Sequence, residues 1–67
     1  MPTRTLTFYQ NFILQDIKAS RQGYRPMTGD SKLCMELKKK GLVAEKEDLF
    51  FIIPGATYNY RGNKYTL

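Results

Sequence analysis

Gly41, inside Leu37-Lys38-Lys39-Lys40-Gly41-Leu42-Val43, divides this chain into a part with helical spacing and a part with strand alternation. A glycine just past a helix takes the left-handed C′ position, where Leu42 touches Leu37 as a Schellman motif requires. The lysines of the last turn favour the negative end of the helix dipole, so dipole compensation and binding of a polyanion account for them equally well. Beyond Gly41, residues 49–53 (Leu-Phe-Phe-Ile-Ile) are apolar on both faces and predict a central strand. Pro54-Gly55 fits the middle of a type II turn, and Gly62-Asn63 a type II′ hairpin turn between 57–61 and 64–67. Alternation places Tyr58 and Tyr60 on one face and Thr57, Asn59 and Arg61 on the other. Residues 45–48, Glu-Lys-Glu-Asp, are expected as an exposed loop.

Upstream, Thr7-Phe8-Tyr9-Gln10 forms a capping box at a helix start. Tyr9, Phe12, Ile13 and Ile17 follow at helical spacing, with Phe8 beside them and Leu14 on the flank. This predicts a first helix over 7–21, stopped by Gly23, whose aromatic stripe is core. Residues 22–30 are loop-like, because Pro26 disfavours helix at Arg25 and Gly29-Asp30 is turn chemistry. Asp30 or Ser31 then caps a second helix over 31–40, with Leu33, Cys34 and Leu37 inward and Met35 at one edge. The expected fold is α+β in one small domain of 67 residues: two helices, then a small antiparallel hairpin or three-stranded meander.

A chain of this length buries only about 60% of its unfolded surface, so each large apolar residue matters and dimerisation is an open route to further stability. One cysteine and no histidine exclude an internal disulfide and the Cys/His zinc patterns. With no histidine the commonest general base is missing, and Cys34 on an apolar helix side reads as a small buried hydrophobe. No nucleotide-binding glycine pattern occurs. The expectation is a protein that is not an enzyme and carries neither cofactor nor metal. No apolar secretory region or bilayer-length segment is visible, so the expected location is cytoplasmic, with no membrane partner. Eleven basic against 6 acidic residues give a net charge of +5, compatible with nucleic acid or an acidic partner.

Leu33, Leu37, Lys40-Gly41-Leu42-Val43 and the closing Tyr65-Thr66-Leu67 resemble the winged helix-turn-helix family of DNA-binding domains over residues 31–67. The helix that usually precedes the recognition helix is not evident in 22–30. The resemblance implies that 31–40 is the recognition helix, presenting Ser31, Lys32, Met35, Glu36 and Lys39 to the major groove. It implies that the terminal hairpin is the wing, with Tyr60, Arg61, Asn63 and Lys64 at phosphates or the minor groove.

These readings converge on a small DNA-binding protein, a transcriptional regulator or accessory factor whose partner is double-stranded DNA. Lys32, Lys39, Arg61 and Lys64 would neutralise phosphates. A different reading is a protein-interaction module of the kind small phages and plasmids encode to bind and modulate a host protein, drawing on Tyr24, Tyr58, Tyr60 and Tyr65. Tyr58 and Tyr60 also fit base stacking on single strands, although packing on the first helix weighs more.

Overall fold

A computed structural model describes residues 4–67. Helices α1 (Phe8–Ala19) and α2 (Ser31–Lys39) precede strands β1 (Val43–Lys46), β2 (Leu49–Ile52), β3 (Thr57–Tyr60) and β4 (Asn63–Thr66). The α+β class and the terminal hairpin agree with the sequence. The three-stranded meander does not form, and two separate antiparallel pairs, β1–β2 and β3–β4, take its place.

Hydrogen bonding explains the separation. β2 is paired with β1 along one edge, from Val43 opposite Ile52 to Lys46 opposite Leu49. Its other edge is occupied by the loop residue Tyr24, whose N–H donates to Phe50 O at 2.8 Å and whose carbonyl accepts from Phe50 N at 2.9 Å. β2 therefore has no edge left for β3. Instead β3 lies between β4 and the N-terminal segment, where Leu6 N–H donates to Asn59 O and Asn59 N–H to Arg4 O, both at 2.9 Å. The stretch 45–48 is exposed as expected but is not a loop. Glu45 and Lys46 belong to β1, and Glu47 and Asp48 form a tight turn with φ of 53° and 65°. No glycine marks that turn, so it carries no sequence signal of the usual kind.

The start of α1 is as its capping box requires. Thr7 Oγ1 accepts from Gln10 N at 3.2 Å, and Gln10 Oε1 accepts from Thr7 N at 3.1 Å. The helix ends two residues earlier than expected, at Ala19, with Ser20 as its C-cap, and its N–H and hydroxyl both bond to Asp16 O. Gly23 is not the helix stop. It holds φ of +108° where the chain passes under β2, and a Cβ there would come within 2.9 Å of Leu49 Cβ and Phe51 Cζ.

The buried face of α1 also differs from the expected aromatic stripe. Gln10, Ile13, Leu14 and Ile17 point inward, whereas Phe8, Tyr9 and Phe12 are 57%, 68% and 57% exposed. The buried residues lie at i, i+3, i+4 and i+7 from Gln10, a single face of a helix that packs on α2 and β2. Gln10 can be inward because its amide is satisfied twice, at Thr7 N and through Nε2 donating to Glu36 Oε1 at 2.9 Å. The core is completed by Leu6, Cys34, Leu37, Leu42, Val43, Phe50 and Tyr58.

Leu14→Ala removes a side chain with no exposure and is expected to cost about 2–5 kcal/mol, whereas Phe12→Ala should cost well under 1 kcal/mol. Denaturant unfolding of the two variants distinguishes this helix face from the aromatic one.

Candidate nucleic-acid interface

Helix α2 begins at Ser31 without a side-chain cap: Asp30, at the N-cap, has helical backbone angles (φ −89°, ψ −18°) where a capping side chain needs an extended residue. Asp30 Oδ2 accepts from the Tyr24 hydroxyl at 3.1 Å, which ties the loop before α2 to the residue that covers β2. Along α2, Cys34 and Leu37 are buried and Ser31, Lys32, Met35 and Lys39 are exposed, as the face expected to meet a polyanion requires. Glu36, between them, is half-buried and accepts from Gln10.

The terminal hairpin turns one residue earlier than expected. Arg61 and Gly62 are its central pair, with φ of 51° and 81°, so both positions are left-handed as in a type I′ turn. Asn63 is consequently a strand residue opposite Tyr60. The tip is exposed at Arg61, Asn63 and Lys64. The Arg61 guanidinium carbon lies 5.5 Å from the centroid of the Tyr60 ring, a cation–π contact that holds the cation at the tip.

Behind the tip, Asn11, Gln15 and Lys18 of α1 face Tyr58, Tyr60 and Tyr65 across an open groove of about 350 Å³. Tyr58 is buried and stacks on Tyr65 at 5.3 Å, and its hydroxyl accepts from Gln15 Nε2 at 3.2 Å. That packing takes the Tyr58 ring out of reach of a base. Tyr60 and Tyr65 remain at the groove edge. The amides and Lys18 along this groove were not among the sequence-derived candidates, since nothing local ties α1 to a hairpin some 40 residues later.

The expected residues fall into two groups. Ser31, Lys32, Met35 and Lys39 lie on α2, which packs on α1 and β1; Tyr60, Arg61, Asn63 and Lys64 lie on β3–β4, which is tied to α1 and the N-terminal segment. The hairpin that follows α2 directly is β1–β2, and its tip is Glu47-Asp48. Of the triple lysine, Lys38 pairs with Glu45 Oε1 at 3.0 Å, the sole ion pair among the described residues. Lys39 and Lys40 are left to the helix end.

Cys34 is completely buried, and burial, with Asp30 nearby, pushes its thiol up from 9.0 to about 11. Burial together with the bond to Asp30 pushes the Tyr24 phenol up to about 12. Among the described residues no three His, Cys, Asp or Glu side chains converge to hold a metal, and no helix is long and apolar enough to cross a membrane. Comparison with protein-family models, curated proteins and solved structures finds no match to this chain.

Both raised groups are neutral in the native state below their unfolded values of 9.0 and 10.0, so their contribution is intact at neutral pH. Stability is expected to fall as pH climbs from about 9 towards 12, and Cys34→Ala should remove the lower part of that decline in pH-dependent denaturation. At neutral pH a thiol reagent should leave the folded protein untouched and titrate Cys34 only in denaturant.

Proposed function

We propose that this is a small, non-catalytic DNA-binding protein of the winged helix-turn-helix kind, acting in the cytoplasm as a transcriptional regulator or accessory factor on double-stranded DNA. The observation that carries the reading is a set of exposed, unpaired cations. Lys32, Lys39, Arg61 and Lys64 are exposed and have no carboxylate partner among the described residues, where Lys38–Glu45 is the sole ion pair. These four cations are thus free for phosphates on a chain whose net charge is +5.

In this reading Ser31, Lys32 and Met35 near the start of α2 approach base edges, with Lys39 on the backbone. The wing role passes over β1–β2, whose Glu47-Asp48 tip repels phosphate, and falls to β3–β4. There Arg61 and Lys64 meet the backbone while Asn63 and Tyr60 reach phosphates or the minor groove. The groove with Asn11, Gln15 and Lys18 extends the same polar surface.

About four phosphate contacts give a slope of log K against log salt near −3.6. Fluorescence anisotropy with a labelled duplex should show that slope, and Arg61→Ala combined with Lys64→Ala should reduce its magnitude by about 1.8. Binding that is absent at low salt, or indifferent to salt, rejects the proposal.

A further inference from the structure

The exposed side of α1 is the largest apolar feature that the proposed interface leaves unused. Phe8 and Phe12, one helical turn apart, lie 6.5 Å between ring centroids, and Tyr9 meets Phe8 edge-on at 5.4 Å. Met27, 73% exposed, extends the patch from the loop beyond α1. Together with Leu33 these side chains border an open cleft of about 340 Å³. Its bordering residues include Asp16 and Asp30 and no lysine or arginine, on a chain whose net charge is +5.

We propose that this ridge is the interface of a two-fold homodimer in which α1 of one copy crosses α1 of the second in antiparallel sense. Three considerations specify a second copy as the occupant. The first is area. Aromatic side chains bury about 150–250 Å² each when fully covered, so three rings and a methionine exposed to this extent offer roughly 450–500 Å² per copy. Both copies together reach about 1,000 Å², the lower bound for a specific interface.

The second is charge. Two chains each carrying +5 repel least where their contact is free of cations, and the residues bordering this cleft include no lysine or arginine. The third is symmetry. An isologous contact needs a patch that complements itself, and a two-fold axis near Phe12 sets Asp16 of each helix against the first turn of the other. A carboxylate is favoured there by the positive end of the helix dipole, and Asp16 has no ion-pair partner among the described residues of its own chain. The contact supplies the further burial that a chain of this size commonly takes from oligomerisation.

Sedimentation equilibrium of the full chain, from low micromolar to submillimolar concentration, tests the proposal. The expected mass rises to twice the 7.8 kDa of the monomer. Phe12→Lys, which places like charges at the axis, should abolish the rise while the far-UV circular dichroism stays that of the wild type. Wild-type amide shifts followed against concentration supply a readout that needs no variant, and they should move chiefly over residues 8–16 and 24–30. A mass that stays monomeric throughout overturns the proposal and leaves the ridge to a different protein. A dimer that survives Phe12→Lys, or shifts confined to β3–β4, overturns it as well. Since the ridge contains none of the proposed phosphate contacts, Phe12→Lys should retain the salt dependence of DNA binding, which separates failure of the dimer from failure of the DNA reading.

Discussion

Gly41 ends α2 in the left-handed region, at φ of +77°, with its N–H on Lys38 O at 3.0 Å and that of Leu42 on Leu37 O at 3.1 Å. These are the two bonds of a Schellman motif, and they reverse the chain while pairing the carbonyls of Leu37 and Lys38. The reversal delivers Leu42 and Val43 directly into the core beside Leu37. It also starts β1 on the right face and lets Leu42 O accept from Ile53 N at 3.0 Å, which closes the far end of the β1–β2 pair. An L-residue at this position would carry left-handed strain of about 1 kcal/mol at the junction that most of the buried surface shares.

Local chemistry explains which parts of this arrangement were legible from residues alone. Thr7 with Gln10, Gly41 with Leu42, and Pro54-Gly55, where Ala56 N–H donates to Ile53 O at 3.3 Å, each make bonds within a few positions of themselves, and all three form as read. The face of α1 was not legible, because residues 8 to 17 contain two overlapping apolar sets that share Ile13 and Ile17. Contact with Glu36, added to the cap bond at Thr7, satisfies Gln10 on the inward face, and Phe12 and Tyr9 lie at the surface. β1 was hidden because one inward residue, Val43, precedes three outward ones, and its turn uses Glu47 and Asp48 where glycine or asparagine is the common sign.

The site follows the same division. Exposure of the cations on α2 and at the hairpin tip could be read from alternation and helical spacing. Their assignment to two differently packed elements could not, since it depends on Tyr24 taking the edge of β2 that β3 would otherwise have used. α1 is the element between these surfaces. One flank meets the tyrosines of β3–β4, the other meets the 24–30 loop, and the outward ridge is aromatic. Cationic and apolar surfaces thereby stay on different parts of a very small body.

Closure of the strand edges bears on how the chain behaves in a crowded solution. β2 and β3, which carry the apolar strand residues, are each paired along one side and bridged on the other, at Phe50 and at Asn59. The strands with an outer side still open are β1 and β4, each four residues long and carrying Glu45 with Lys46 or Lys64. Short, charged edges are poor templates for a foreign strand. The weak point is the segment of Arg4, Thr5 and Leu6, which covers β3 through two backbone bonds to Asn59. A protease that trimmed it would bare the peptide groups of β3 and remove Leu6 from the core in one cut, turning a chain that resists fibril-type stacking into one that invites it.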